Sequence, residues 1–226
     1  SMDDLSFKCL YQQQPIEREG LLFPTDELRR FFFNREQVPE KQTEFIIMPE
    51  RTPDAIWAVC DTKDTGADFE SLPIAYQFGE DFFIPDVVFD DTTDYDTLDM
   101  KSANILIRHN PHKIRFESNS AGGRVAHNVQ KLIDGKCRAQ IEPERTQANK
   151  ETKILVNSDW IKKHCIFLDP SLYTPKSDYG LFMENVVTYT VKVKPPHDDG
   201  PDSLAMLAEY VARPVQKPTT IINSPI

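Results

Sequence analysis

The chain has 226 residues and a formal net charge of -10, from 26 basic and 36 acidic side chains. This length allows one domain with a substantial buried core. No run approaches the ~20 consecutive apolar residues of a membrane span, and no secretory leader is evident, so we expect no membrane association. The four cysteines, Cys9, Cys60, Cys137 and Cys165, form neither a CxxC pair nor a zinc spacing, which favours reduced thiols in a cytosolic setting.

The negative charge is unevenly distributed along the chain. Residues 1–100 carry 8 basic and 23 acidic side chains, a balance of -15, whereas residues 101–165 carry 13 and 6, a balance of +7. Residues 166–226 are close to balanced, with 5 and 7. Only the middle segment therefore favours contact with phosphates, although a solvated basic face explains such an excess about as often. Its candidate DNA-binding residues are Arg108, Lys113, Arg115, Arg124, Lys131, Arg138 and Arg145.

The first fifty residues differ in pattern from the rest. Residues 1–50 lack a clear series of strands, and the stretch 26–33 predicts one short helix. We expect this segment to be a connector laid against a main domain that covers residues 51–213. The final residues, 214–226, are rich in Pro, Thr and Ile and are predicted to be a loosely held tail.

The clearest strand is the apolar run over residues 55–60, which is typical of a strand buried on both faces. Residues 72–78 and 82–89 are two further apolar runs separated by a Gly-Glu-Asp turn, which predicts a β-hairpin. These three strands are expected to form an antiparallel unit. Two shorter strands are predicted over residues 113–117 and 137–141.

Helical patterns lie between and after these strands. They cover residues 98–109, an amphipathic stretch from Val125 to Ile133, residues 152–167 and residues 177–189. A last helix is expected after Asp202, which is well placed as its N-cap. Three antiparallel strands followed by helix, strand, helix, strand and helix is the succession of the ribonuclease H-like α/β fold. We therefore predict a mixed five-stranded sheet flanked by helices, with the first strand central, an order taken from that fold.

Acidic residues occur at three comparable points of this predicted fold. Asp61 ends the first strand, Glu117 ends the fourth, and the segment 197–202 opens the last helix. If the first and fourth strands are neighbours, Asp61 and Glu117 lie side by side, ~4.8 Å apart. Two carboxylates that close repel each other unless a cation lies between them. Hard oxygen ligands favour Mg²⁺ or Mn²⁺ over zinc, and two such ions ~4 Å apart activate a water and stabilise the leaving oxygen in phosphodiester hydrolysis.

The third ligand is left open by the sequence. Asp198, Asp199 and Asp202 all qualify, and we favour Asp202, with Asp199 next. Capping a helix and binding a metal are compatible roles, because an acid at the start of a helix can also point into a site. His197 is expected to be a turn residue, with metal binding or the positioning of a water as the alternative.

Other residues near these motifs carry weaker predictions. Asp64 and Asp68 are expected in a solvated loop, with a role as auxiliary ligands as the alternative. Lys63 is expected to be an exposed turn lysine, with a phosphate contact as the alternative. The pair Gly122-Gly123 precedes a helix, where it could admit a phosphate at the helix N-terminus or allow tight packing. No nucleotide-binding P-loop occurs in the sequence.

Taken together, these motifs resemble the C-terminal nuclease domain of the large terminase subunit of tailed bacteriophages and prophages. Residues 12–23 are similar to the connector that follows the ATPase domain in those proteins. Asp61 with Asp68 resembles their first acidic motif, and residues 116–123 (Phe-Glu-Ser-Asn-Ser-Ala-Gly-Gly) resemble the second. Residues 197–205 (His-Asp-Asp-Gly-Pro-Asp-Ser-Leu-Ala) resemble the closing motif and are the most specific part of the match.

The resemblance extends over roughly residues 8–212 and implies a Mg²⁺- or Mn²⁺-dependent endonuclease that cuts concatemeric double-stranded viral DNA. Such a protein is encoded by a phage or prophage and acts in the host bacterial cytoplasm. Its implied partners are an ATPase domain ahead of the connector, a small terminase subunit and a portal. Two alternatives remain: a non-catalytic ribonuclease H-like docking module of a packaging assembly, and a resolvase- or transposase-type nuclease. The predicted catalytic and metal-binding residues are Asp61, Glu117, Asp202 and Asp199.

Overall fold

The computed structural model describes residues 20–63, 68–119, 122–145, 149–191 and 197–212. Within these ranges the chain forms one sheet with helices on both faces. Its strands are β1 (Arg29–Phe32), β2 (Ile46–Ile47), β3 (Ala55–Cys60), β4 (Glu70–Phe78), β5 (Asp81–Asp90), β6 (Lys113–Glu117), β7 (Ile141–Glu144) and β8 (Cys165–Leu168). Its α-helices are α1 (Tyr95–His109), α2 (Gly122–Ile133), α3 (Lys150–His164), α4 (Asp178–Val187) and α5 (Asp199–Ala212). None of the described helices is long and apolar enough to cross a membrane.

The strand order across the sheet is β2-β1-β8-β5-β4-β3-β6-β7. The β3–β4 and β4–β5 pairs are antiparallel, and the β3–β6, β6–β7 and β5–β8 pairs are parallel. Among the five strands predicted from the sequence, β3 lies at the centre, between β4 and β6. The ribonuclease H-like α/β fold is therefore confirmed, as is the central place of its first strand.

Two apolar cores lie on opposite faces of the sheet, and β3 contributes to both. Because successive side chains of a strand point to opposite faces, Ala58 and Cys60 pack with α1 and α2, whereas Val59 packs with α3, α4 and α5. All three side chains are fully buried. This burial explains the near-continuous apolar run of β3 and fixes the direction in which the chain leaves the sheet at Asp61.

The predicted count of five strands is wrong, because the described sheet has eight. The helix expected over residues 152–167 ends at His164, and Cys165–Leu168 continues directly as the buried strand β8. A short apolar run is compatible with either a helix or a strand when only its sequence is considered. Here the choice is made by β5 and β1, which pair with β8 on its two sides.

The helix expected over residues 26–33 is also wrong. Only Thr25–Glu27 is helical, as a single 3-10 turn, and Arg29–Phe32 forms strand β1. Strands β1 and β2 join the common sheet through β8. The role of residues 1–50 as a connector from an ATPase domain stays a prediction, and the part from residue 12 to residue 19 lies outside the described residues.

The remaining elements follow the predictions with shifted ends. The strand over residues 113–117 is confirmed, as is the hairpin of β4 and β5. The turn that joins β4 to β5 contains Gly79 at a φ of 66°. The last predicted strand lies over Ile141–Glu144 instead of residues 137–141. The closing helix begins at Asp199, so Asp202 lies in its first turn and is not the N-cap.

Helix α4 packs so closely on the segment before it that one position admits only glycine. A Cβ atom at Gly180 would overlap the carbonyl oxygen of Thr174 and lie 2.6 Å from that of Pro175. We expect Gly180→Ala to lower the free energy of unfolding by about 2–3 kcal/mol, because neither backbone atom can move without disturbing the cap of α4. The matched change Gly123→Ala, where a Cβ meets nothing within 4 Å, should leave stability equal or raise it by about 0.5–1 kcal/mol. Chemical denaturation measures the free energy of unfolding of both variants. Equal changes for the two would contradict the close packing inferred at Gly180.

Candidate metal centre

Asp61 and Glu117 lie side by side at the carboxyl ends of two parallel strands. Cys60 pairs with Phe116 in the β3–β6 register, so the residues that follow, Asp61 and Glu117, leave the sheet at the same edge. Asp61 is held there by two backbone hydrogen bonds with Ser71 of β4, both 3.0 Å. The two acids are 3% and 6% exposed. This arrangement confirms the juxtaposition expected from the sequence.

Asp202 reaches the same point from the first turn of α5. Oxygen atoms of Asp61, Glu117 and Asp202 all lie within 4.8 Å of one another. Asp202 has no exposed surface. Since its amide donates to the Asp198 carbonyl at 2.9 Å, Asp198 precedes the helix and Asp202 is fixed inside its first turn, where the helix dipole favours a negative side chain.

The start of α5 is anchored on three sides. Asn185 of α4 accepts a hydrogen bond from the Gly200 amide at 2.9 Å. The hydroxyl of Ser203 lies 2.8 Å from that of Ser71 in β4. Asp199 accepts from the Phe69 amide at 3.1 Å. These contacts hold Asp202 in position even though its strand partners are more than 80 residues away in the sequence.

Two lysines of α3 neutralise part of this acidic cluster. Lys150 Nζ lies 3.1 Å from Asp61 and 3.4 Å from Asp202, with Asp198 and Asp199 at 3.8 and 3.9 Å. Lys153 Nζ lies 2.7 Å from Asp202 Oδ1, in an ion pair whose side chains are 1% and 0% exposed. Asn149 caps this helix by accepting a hydrogen bond from the Thr152 amide at 3.1 Å. The two lysines lie on one face of the helix because they are three residues apart.

The environment of the cluster shifts the pKa values of Asp61, Asp199 and Lys150. Burial raises the pKa of Asp61 well above its usual value, and the charge of Asp202 raises it further against the opposing effect of Lys150. Burial likewise raises the pKa of Asp199 to about 6, although the Phe69 amide and Lys150 oppose the change. Burial lowers the pKa of Lys150, but the surrounding aspartates outweigh it and the net pKa is above the usual value. For Asp61 and Asp199, burial therefore has a larger effect on the pKa than the opposing charge of Lys150.

The three carboxylates fit a hard divalent cation. Asn119 donates a hydrogen bond to Glu117 Oε1, whereas Glu117 Oε2 is buried and has no hydrogen-bond donor among the described residues. An orphaned buried acceptor is costly unless a cation or a water satisfies it. Oxygen donors at this spacing suit Mg²⁺ or Mn²⁺, and no other group of three or more potential ligands meets the same distance limit within the described residues.

Several residues near the predicted motifs lie outside the triad. Asp199 is buried beside it, held by the Phe69 amide. Asp68 is exposed at the rim, and Asp64 lies outside the described residues. His197 is half-buried, with its ring edge-on to Phe69 at 5.4 Å.

Lys63 does not match either expectation for it, because it is 1% exposed and donates to the carbonyl oxygens of Asp91 and Thr92. It thereby ties the segment after β3 to the segment between β5 and α1. An apolar environment normally excludes a lysine, and the backbone carbonyls offset that cost here. The turn pattern around Lys63 gave no sign of this burial.

Lys150 and Lys153 were not among the predicted site residues. The apolar pattern of this helix is a poor guide to its buried face, because Leu155 and Val156 are 49% and 74% exposed while Lys153 is buried. Lys153 is buried together with an acidic partner, whereas the buried Lys63 is held by carbonyl oxygens. That partner, Asp202, is 49 positions beyond Lys153, and no local pattern indicates the contact.

Most of the predicted DNA-binding side chains are engaged within the protein. Arg108 pairs with Asp86 at 2.9 Å, and Lys113 lies 3.9 Å from Glu142. Arg115 pairs with Glu144 at 2.7 Å and lies over the Tyr210 ring at 3.5 Å. The further contacts are Arg124 with Asp99 at 3.6 Å and Arg138 with His112 at 2.7 Å. Lys131 and Arg145 are exposed and in no described ion pair.

A second pair of buried acids lies on the opposite face of the sheet, toward α1 and α2. Glu70 is fully buried and accepts a hydrogen bond from Ser102. Asp99 is 3% exposed and accepts from Asn128 at 2.9 Å. Burial raises the pKa of Glu70 to about 7, and the charge of Asp99 adds to the shift against the opposing Ser102 hydrogen bond. Glu70 therefore titrates near neutral pH.

We expect Glu70 to make stability fall as the pH rises. Its pKa is about 7 in the folded protein and about 4.5 when unperturbed, so the folded state binds this proton more tightly than the unfolded chain. The stabilisation is complete below about pH 4.5 and is lost as the pH rises through about 7, by up to about 3 kcal/mol. Glu70→Gln should therefore be more stable than the parent at pH 8 and equal to it near pH 4.5.

Urea unfolding between pH 4.5 and 8 measures this difference. Other acids titrate in the same range, so the difference between parent and variant is the relevant quantity. Glu80→Gln, at an exposed position, is the matched control and should follow the parent curve. A Glu70→Gln curve parallel to that of the parent would contradict the raised pKa.

Comparison with known proteins gives no match to a protein-family model and none to a curated protein. Solved structures do match. The human cytomegalovirus terminase nuclease domain, Mn-soaked and inhibitor-bound, has a TM-score of 0.53 at 12% identity, covering 83% of this chain and 91% of that one. A mutant nuclease domain of the large terminase subunit gp2 of bacterial virus Sf6, with manganese and β-thujaplicinol, has a TM-score of 0.50 at 9% identity, covering 70% and 89%.

The fold of this chain is therefore that of the terminase nuclease domains, within the ribonuclease H-like class. The fowlpox virus Holliday junction resolvase also matches, with a TM-score of 0.45 at 15% identity over 69% of this chain and 96% of that one.

Proposed function

We propose that the chain is a divalent-metal-dependent endodeoxyribonuclease that cuts double-stranded viral DNA during genome packaging. The observation that carries this proposal is the buried triad of Asp61, Glu117 and Asp202, whose oxygens lie within 4.8 Å of one another. The terminase-type fold supports the packaging role, and the acidic motifs support it further. A small terminase subunit, a portal and an ATPase domain are the proposed partners, in the cytoplasm of an infected or lysogenic bacterium.

Asp61, Glu117 and Asp202 would hold the metal, with Asp199 as a neighbouring candidate ligand. Bound Mg²⁺ or Mn²⁺ would supply Lewis acidity, lowering the pKa of a water and stabilising charge on phosphate oxygens. The protein itself contributes rigidity, because Asn119 and Lys153 each engage one oxygen of a triad carboxylate. Lys150, which is half-exposed beside the triad, is placed to attract a phosphate into the site.

Plasmid cleavage with Mn²⁺, Mg²⁺ or EDTA, with calorimetric titration of Mn²⁺ in parallel, tests the proposal. We expect Mn²⁺ to bind and supercoiled plasmid to be nicked or linearised, with both effects abolished by EDTA. Intact plasmid together with no heat of Mn²⁺ binding would contradict a nuclease and favour the docking module. Cleavage of a four-way junction in strong preference to linear duplex would favour a resolvase-type enzyme.

A further inference from the structure

Helix α2 differs from the rest of this acidic chain in the character of its surface. Its sequence, Gly-Gly-Arg-Val-Ala-His-Asn-Val-Gln-Lys-Leu-Ile, contains no acidic residue, although the chain as a whole has 36 acidic and 26 basic side chains. Val125, Val129 and Ile133 are buried against the sheet. The outward positions are therefore free to present donors without any competing carboxylate on the same helix.

Three exposed side chains form one face of this helix. Arg124, His127 and Lys131 are all exposed, and their spacing of three and four residues places them in one row along the helix. Asn128 and Gln130 beside this row are already committed, to Asp99 at 2.9 Å and to the Ile141 amide at 2.8 Å. The α2 basic face, defined as Arg124, His127 and Lys131, thus presents donors at the surface, with one described ion pair, between Arg124 and Asp99 at 3.6 Å.

Helix α2, which carries the basic face, follows the triad residue Glu117 closely in the chain. Helix α2 starts five residues after Glu117, and the intervening Asn119 still contacts that carboxylate. Arg124 lies 4.8 Å over the ring of Tyr95 and 3.6 Å from Asp99. These two contacts orient the guanidinium of Arg124. They do not occupy all five of its N–H donors, so some remain for a further acceptor.

The dimensions of this face suit a nucleic-acid strand. From Arg124 to Lys131 the helix rises about 10 Å. A DNA strand presents one phosphate per ~3.4 Å of duplex axis, so this length corresponds to about three phosphates. Among the predicted basic residues of this face, Lys131 is exposed and in no described ion pair, and Arg124 keeps 43% of its side chain exposed although it lies 3.6 Å from Asp99.

We propose that the α2 basic face binds successive phosphates of the DNA that the carboxylate triad cuts. This inference rests on the proposed nuclease function. Contacts of this kind position the duplex without reading its sequence, and each phosphate neutralised releases condensed counterions. Binding through the face is therefore expected to depend steeply on salt and only weakly on sequence.

The test measures binding of a fluorescent 30-base-pair duplex at several salt concentrations, in an Asp61→Asn background that prevents cleavage. Arg124→Gln with Lys131→Gln should weaken binding at least about tenfold at low salt and reduce the slope of log K against log salt by about 2. Lys163→Gln with Lys176→Gln, an equal loss of charge at exposed positions on other elements, should change the slope by less. Lys131→Glu alone, which removes no described ion pair, should also weaken binding.

The possible failures are distinguishable. Suppose that the parent protein cuts DNA, but that the α2 variants bind DNA as tightly as the control variant, Lys163→Gln with Lys176→Gln. The α2 inference is then wrong and the nuclease proposal stands. If the parent protein neither binds nor cuts DNA, both are wrong. Circular dichroism of each variant confirms that a loss of binding is not a loss of folding.

Discussion

Asp61→Asn is expected to abolish metal-dependent cleavage while leaving the metal-free protein folded. Asn has nearly the same size as Asp61 but no negative charge. The negative charges of Glu117 and Asp202 already disfavour the ionised form of Asp61. Because burial raises the pKa of Asp61 well above its usual value, a neutral side chain at this position costs the metal-free protein little. A divalent ion in such a site supplies several kcal/mol to phosphodiester hydrolysis, so the rate should fall by at least about 100-fold.

Two readouts make this prediction specific. The first is the rate of plasmid cleavage in Mn²⁺, and the second is the rise in melting temperature that Mn²⁺ produces by binding the folded state. Asp61→Asn should lose both. Asp159→Asn, whose side chain is 96% exposed on α3, should lose neither. Cleavage that survives Asp61→Asn would place the active site elsewhere.

Lys153→Met is expected to produce a large loss of stability in the metal-free protein. Met keeps most of the length of the lysine, but it leaves Asp202 buried without its closest positive partner, at 2.7 Å. Breaking a buried ion pair from one side typically costs about 3–5 kcal/mol. Since Lys150 remains 3.4 Å from Asp202, we expect the lower end, about 3 kcal/mol, or a fall of roughly 6–12 °C in melting temperature.

A second change, Asp202→Asn, tests whether the unpaired charge of Asp202 causes the loss of stability in Lys153→Met. Added to Lys153→Met, it removes the uncompensated charge, so the double variant should recover part of the lost stability. Mn²⁺ should also stabilise Lys153→Met if a cation can replace the lost ammonium group near Asp202. Lys162→Met is the matched control, because its partner Glu27 is 46% exposed and surface pairs contribute at most about 1 kcal/mol. Equal losses for the two lysines would show that burial of the Lys153 pair is unimportant.

The placement of two of the three triad acids could be predicted because it depends on neighbouring strands. The apolar run of β3 and the short strand β6 are each followed at once by an acid, and the fold places these strands side by side. Where a strand is buried on both faces, its sequence shows both its extent and the point at which it leaves the core. That local information places an acid at the end of each strand, and the strand order of the fold makes the two acids neighbours.

The third acid and the extent of the sheet could not be obtained in the same way. Three aspartates stand within five residues at the start of α5, and only the start of that helix at Asp199 places Asp202 toward Asp61 and Glu117. Strand β8 has the apolar character of the helix before it, and its pairing with β5 and β1 determines its conformation. Both outcomes depend on contacts between segments that are far apart in the chain.

The sequence by itself determined the extent of the buried strand β3 and the acids that follow β3 and β6, because burial and periodicity are properties of short segments. The succession of elements indicated the class of fold, and the central place of β3 was taken from that fold. Only the tertiary structure decided which aspartate completes the cluster, that Lys150 and Lys153 lie within it, and which basic residues remain available on the surface. The physical reason is that a buried charge needs a partner, and the partner is chosen by packing. Here that packing brings α3 and α5 to the same edge of the sheet as β3 and β6.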